Sequence, residues 1–168
     1  MFFTEIDARN YGLQNHTRPL TSVAECGIVE AGSWMPNLVA YVDGGSHGSP
    51  GPSGIGVVIE QSGGEKVCIA KSIGRQDNNV AEYVALLEAL QHAVSVNASA
   101  LHVFSDSEIV VKQMTGLYAC RSPRLYSLNW TCRKLARSLD FSIAHISREL
   151  NLEANDLANH AVRSRPTA

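Results

Sequence analysis

A chain of 168 residues with 45% hydrophobic and 18% charged side chains has the composition of one globular domain, able to bury a core without disulfide or metal staples. Its net charge of −2 gives no global pull toward nucleic acid, so any such binding must come from local arrangement. The widely separated Cys26, Cys68, Cys120 and Cys132 lack metal-ligand spacing, which argues against a zinc site and reads as reduced thiols, mostly packed as small apolar groups.

Residues 1–37 show no sustained period, scattered Gly and Pro, and only Arg9 and Arg18 as basic residues; they read as an N-terminal extension of unknown role. The opening MFFTEIDARNYG lacks signal-peptide features and no apolar run reaches membrane-span length, so a soluble, cytoplasmic protein is expected. From Leu38 the pattern sharpens. LVAYVD reads as a strand, GGSHGSPGPSG as a loop, and GIGVVIEQ and EKVCIAKSI as two strands of a hairpin turned through Ser62-Gly63-Gly64. DNNVAEYVALLEALQHAVSV has a helical period, LHVFSD reads as a buried strand, SEIVVKQMTG as a short helix, and SPRLYSLNWTCRKLARSL as a helix opened near Pro123. FSIAHI is a last strand and NLEANDLANHAVRS a last helix. The order βββαβααβα predicts an α/β fold on a five-stranded mixed sheet, its first three strands antiparallel and its faces flanked by helices, over residues 38–164, with 165–168 a C-terminal tail.

Four positions stand out against their surroundings. Asp43 ends the first strand on the face shared by Val39 and Tyr41, where an Asx-turn is the ordinary alternative. Glu82 lies over Ala85, Leu86 and Ala89 on the apolar side of its helix, although Asn79-x-x-Glu82 also fits a capping box. Asp106 follows a strand at its carboxyl end, where open α/β sheets place ligand sites; the alternative is a helix start with Ser105 as cap and Glu108 three residues on. In the last helix Asn155 neighbours Ala158 and Val162 on the apolar stripe, whereas Asp156 groups with Asn159, His160 and Arg163 toward solvent. If these element ends meet, three carboxylates would repel unless cations neutralise them, and hard divalent metals with oxygen ligands are the natural resolution.

The stretches YVDGGSHGSPGPSGIGVVI, NNVAEYVALLEAL, FSDSEIVVKQMTG and SRELNLEANDLAN, in that order, resemble type 1 ribonuclease H, in particular the compact archaeal and bacterial branch without a basic protrusion. The likeness runs from about Leu38 to Arg163. It implies a ribonuclease H-like fold and a catalytic domain over 38–164. It also implies an endonuclease that hydrolyses the RNA strand of RNA/DNA hybrids with two Mg²⁺ or Mn²⁺ ions, leaving 5′-phosphate and 3′-hydroxyl ends. Carried over, the family's acids fall on Asp43, Glu82 and Asp106, and Asn155 stands where the pattern Ala-Asp-x-Leu-Ala has its fourth acid. The amide oxygen can still coordinate a hard cation but brings no charge, so weaker binding of one metal is expected rather than loss of chemistry.

The same resemblance assigns Gly44, Gly45 and Ser46 to backbone contact with the RNA minor groove, Asn78 and Asn79 to the hybrid, and Ser107 to a 2′-hydroxyl. Arg75 matches a pocket for a DNA-strand phosphate, but Asp77 stands where the family usually has Thr and would repel that phosphate. Arg148 falls at a mobile arginine, with electrostatic help to the phosphate as its role; His145 competes for that role, and its place in FSIAHI favours a structural one. Arg121, Arg124, Arg133, Lys134 and Arg137 form the one local basic concentration, readable as a solvated helix face; Trp130 could stack or pack, and packing is expected. The expected partner is an RNA/DNA hybrid, with no membrane, and the expected state a monomer. Two alternatives stand beside the nuclease: a hybrid- or RNA-binding protein weakened or disarmed by Asn155, and a 3′–5′ exonuclease of the same superfamily, against which the glycine loop and the contiguous NNVAEY and SDSE motifs argue.

Overall fold

The computed structural model describes residues 35–164 apart from Ser62, so the N-terminal extension up to residue 34, with Cys26, and the tail 165–168 lie outside the described residues. Five strands form one sheet: β1 (Asn37–Ser46), β2 (Gly51–Gln61), β3 (Lys66–Gln76), β4 (Ala100–Ser105) and β5 (Asp140–His145), in the order β3-β2-β1-β4-β5. β1–β2 and β2–β3 are antiparallel, and β1–β4 and β4–β5 are parallel. The helices are α1 (Asn78–Ser95), α2 (Glu108–Thr115), α3 (Pro123–Ala136) and α4 (Leu152–Arg163), with a one-turn 3₁₀ helix at Arg148–Leu150. This is the mixed sheet that the sequence order predicts.

Strand alternation divides the molecule into layers. Leu38, Ala40 and Val42 of β1 and Ile55, Val57 and Ile59 of β2 belong to one buried cluster with Tyr83, Leu86 and Leu90 of α1. On the opposite face α4 lies directly on β2: a Cβ at Gly56 would come within 2.0 Å of the Ala154 carbonyl oxygen, and one at Gly54 within 2.7 Å of the Val162 nitrogen. These two glycines let a helix backbone approach a strand backbone where any side chain would hold them apart. α1, α2 and α3 are joined through a buried hydroxyl. Tyr83 donates to Gln113 Oε1 at 2.8 Å and accepts from Asn129 Nδ2 at 2.9 Å, so the three polar side chains enclosed between these helices satisfy one another.

Three expectations need correction. The stretch GGSHGSPGPSG is mostly strand: Gly44, Gly45 and Ser46 pair with Ile55, Gly54 and Ser53, leaving residues 47–50 as the turn. Cross-strand pairing wins there because the Ser46 and Ser53 hydroxyls both donate to the Gln76 carbonyl and hold the hairpin end against β3. Trp130 does not pack; it is 56% exposed, because the buried stripe of α3 is Leu125, Asn129, Cys132 and Ala136 and Trp130 lies one residue off it. Among the thiols of the described residues only Cys132 is buried, while Cys120 is half-buried and Cys68 exposed on β3.

Gly56→Ala should destabilise the protein by about 1–3 kcal/mol or more through overpacking between β2 and α4. Urea unfolding followed by circular dichroism checks this, and an unchanged midpoint would show that α4 can move off the sheet freely.

Candidate active site

Asp43, Glu82 and Asp106 converge at the carboxyl ends of the two central parallel strands, each offering a carboxylate oxygen within 4.8 Å of the others. Each arrives by a different route. Asp43 projects from β1 on the face that α4 covers, and Asp106 follows the last residue of β4. Glu82 comes over the strand from α1 on the other face. That crossing needs Gly44, where a Cβ would lie 2.2 Å from the Ala81 carbonyl carbon and 2.3 Å from the Glu82 nitrogen. Gly44 is thus required by packing, whereas a Cβ at Gly45 would meet nothing within 4 Å.

The local alternatives for the three acids do not hold. Asp77 occupies the N-cap position of α1 without a side-chain cap bond, so Asn79 lies inside the first turn and cannot form a capping box with Glu82. Glu82 is instead 8% exposed, accepting from the Gly44 backbone N–H and, at 3.4 Å, from Asn78 Nδ2. Ser107, not Ser105, occupies the N-cap position of α2, and Glu108 pairs with Lys112 one turn on. The buried Ser105 hydroxyl accepts from the Ser107 N–H at 3.1 Å, which shapes the turn carrying Asp106. Asp43 is 5% exposed and bonded to a side chain of α4 rather than to its own loop.

Asn155 completes the group. It is buried, whereas Asp156 is exposed, as the helical face requires. Asn155 Nδ2 donates to Asp43 Oδ2 at 3.0 Å, and Asn155 Oδ1 accepts from Asn159 Nδ2 at 2.9 Å. An acid here would set a like charge against Asp43; the amide supplies a donor. Asn151 plays a matching part that the sequence reading missed. It is 1% exposed at the N-cap of α4, and its Nδ2 donates to Asp106 Oδ1 at 2.8 Å and to the Val42 carbonyl at 2.9 Å. A polar residue at a helix start is ordinarily a cap for its own helix, so only the tertiary contact reveals this role.

Burial and mutual repulsion dominate the electrostatics. Burial first, then the Asp43 and Asp106 charges, push the Glu82 carboxyl up to about 9, against the Gly44 and Asn78 donors. Burial and the Asp106 charge raise Asp43 to about 6, opposed by the Asn155 hydrogen bond and the Arg148 charge. Glu82 Oε2 is buried without a partner. Hard oxygen donors in close array, one of them buried and unpartnered, fit a divalent cation.

The remaining sequence-derived residues surround this centre unequally. Asn78 and Ser107 open α1 and α2 beside Glu82 and Asp106, with Asn79 next along α1. Arg148 is exposed in the 3₁₀ turn, its charge reaching Asp43. His145 is exposed, with Nε2 3.3 Å from the Asp106 carbonyl oxygen. Arg75 donates to the Pro50 carbonyl at 3.2 Å. Asp77 is held by Arg124 at 2.5 Å and by the Ser49 hydroxyl at 3.3 Å, so the acid that would repel a phosphate is neutralised by an arginine of α3.

A family profile described as reverse transcriptase-like matches residues 41–161. The chain is 38% identical over 125 residues to ribonuclease HI of Halobacterium salinarum, a match covering 73% of this chain and 63% of that protein. In structure it is similar to the crystal structure of RNase H1 from the same archaeon, with a TM-score of 0.72, 37% identity, and coverage of 77% of this chain and 99% of the other. It is also similar to LC11-RNase H1 solved in complex with an RNA/DNA hybrid, with a TM-score of 0.70, 34% identity, and coverage of 76% and 97%. A profile that takes in all three carboxylates and Asn155, together with a solved relative matched over almost its whole length, shows that the chain belongs to the type 1 ribonuclease H family.

Proposed function

We propose that this protein is a divalent-metal-dependent endonuclease that hydrolyses the RNA strand of RNA/DNA hybrids and leaves 5′-phosphate and 3′-hydroxyl ends. The convergence of Asp43, Glu82 and Asp106 within 4.8 Å carries the reading. These three would hold two Mg²⁺ or Mn²⁺ ions, with the Asn155 carbonyl oxygen as a fourth, uncharged donor. Held by these residues, the ions would supply Lewis-acid chemistry, activating water for attack and stabilising the leaving oxygen.

The chain's own groups do the rest. Asn155 links Asp43 to Asn159, and Asn151 links Asp106 to the β1 backbone, so two of the carboxylates are oriented before any ligand arrives. Asn155 Oδ1 accepts one bond, from Asn159, and keeps a second lone pair that could serve as a ligand. Arg148 brings a permanent positive charge to the exposed side of the site, suited to charge developing on a phosphate. Gly45, Ser46, Asn78, Asn79 and Ser107 would serve as contacts for the RNA strand, whose 2′-hydroxyls separate it from DNA. Gly44 acts through packing and its N–H to Glu82, and Arg75 lies farther out beside Pro50.

Asp43→Asn, Glu82→Gln and Asp106→Asn should each lower turnover of a labelled hybrid by on the order of 10³-fold or more, since each removes metal-held stabilisation of several kcal/mol. Substantial internal cleavage surviving any one of them would sink the assignment of these residues.

Asn155→Asp should lower the Mg²⁺ or Mn²⁺ concentration needed for half-maximal cleavage and, in chelator, lower the melting temperature, because a second charge would then face Asp43. Cleavage by the variant alone would make the natural chain a disarmed hybrid-binding protein.

Without metal, stability should fall as pH rises. Glu82 holds its proton in the fold up to about 9, and Asp43 up to about 6, where the unfolded chain has released them near 4.5 and 3.8. The folded state therefore binds more protons across that window, and raising the pH favours unfolding. Melting in chelator should show a decline from about pH 5 to about pH 9 that Glu82→Gln largely removes. A melting temperature that climbs over this range would contradict the buried-carboxyl account.

A further inference from the structure

Outside the carboxylate site, the outward face of α3 departs most from an ordinary surface. Tyr126 and Trp130, one turn apart, are 63% and 56% exposed. With Asn129, Arg133, Lys134 and Arg137 they line a groove of about 410 Å³. The spacing 126, 130, 133, 134, 137 is that of a single helix face, offset by one residue from the buried stripe. The Lys134 ammonium stands 5.3 Å from the centre of the Trp130 ring, so charge and aromatic surface are presented together.

Some cations of the described residues are paired with carboxylates, and others, Arg75 and Arg148 among them, are not. Lys66 pairs with Glu60 and Glu153, Lys71 with Glu88, Lys112 with Glu108, and Arg124 with Asp77. Lys134 and Arg137 have no carboxylate partner among the described residues, and Arg133 donates to the Gln113 carbonyl. In a chain of net charge −2 this is a local excess of positive charge with two aromatic rings set into it. An apolar partner would leave the cations unsatisfied. A phosphodiester strand satisfies them, and its bases can use the rings only if they are unpaired, since a duplex has its bases already stacked.

We infer that this face is a second nucleic-acid site, binding a single-stranded segment whose bases stack on Tyr126 and Trp130 and whose phosphates meet Arg133, Lys134 and Arg137. Its position suits a strand that continues beyond the hybrid. Asn129 in the groove is bonded to Tyr83, the neighbour of Glu82, and Arg124 is paired with Asp77 at the start of α1. The groove and the carboxylates thus lie against the same helix. The site goes beyond the hydrolytic reading and stands without it.

The test is binding of a fluorescein-labelled oligothymidylate of about 12 nucleotides, within the range of single-strand site sizes, to the full chain across a salt series, read by anisotropy. Trp130→Ala should weaken binding roughly tenfold, and Trp130→Phe should keep most of it. The pair Lys134→Glu and Arg137→Glu, on exposed positions, should flatten the slope of log affinity against log salt by about 1.4, at about 0.7 for each phosphate no longer neutralised. In chelator, the natural chain should bind a hybrid carrying a single-stranded extension more tightly than a blunt one, and Trp130→Ala should abolish that preference without slowing cleavage of the blunt hybrid at saturation. No binding of oligothymidylate by the natural chain, or unchanged binding by Trp130→Ala and by the charge-reversed pair, overturns the inference. Equal weakening for blunt and extended hybrids assigns the face to duplex backbone and overturns it as well. Failure to cleave hybrids with oligothymidylate binding intact would count against the nuclease reading alone.

Discussion

The crossing of α1 over β1 at Gly44 is the contact on which the site depends. Backbone meets backbone there at a distance that excludes even a methyl group, and the same contact turns the Gly44 N–H toward Glu82 and carries that acid over the strand end to Asp43 and Asp106. Three acids in one partly buried place are unfavourable in the absence of a cation, since burial and repulsion both oppose ionisation. The fold answers this with protonation of Glu82 and with neutral donors, rather than with a buried cationic side chain.

Those donors give α4 a role that its surface position conceals. Gly54 and Gly56 bring its backbone onto β2, and this depth lets Asn151 reach Asp106 and Asn155 reach Asp43. Packing and electrostatics are coupled: a helix held farther from the sheet would leave both carboxylates without their amide partners. The amide at 155 is consistent with this arrangement, relieving repulsion in the metal-free state and giving up charge for the metal-bound one.

The other half of the molecule is organised around Tyr83. Its hydroxyl joins α1, α2 and α3 inside the core and fixes which side of α3 is turned inward. Because that inward side is made of Leu125, Asn129, Cys132 and Ala136, the larger aromatic side chains of the helix are left outside with the arginines and the lysine.

Much of this was legible in the sequence. Period 2 against period 3.6 gave the element order, and the helical faces of α1 and α4 marked Glu82 and Asn155 as inward, because those periods report burial directly. Motif order carried Asp43, Glu82 and Asp106 to one family pattern. What the residues alone left open were choices between a local and a distant partner: capping for Glu82 and Asp106, an Asx-turn for Asp43, packing for Trp130. A side-chain oxygen or amide has the same sequence neighbours whether it bonds to its own turn or to a strand more than a hundred residues away, as Asn151 does to Val42. Sequence determined which faces turn inward; only tertiary structure decided what those faces meet, because that depends on how closely backbones approach, here set by glycines 44, 54 and 56.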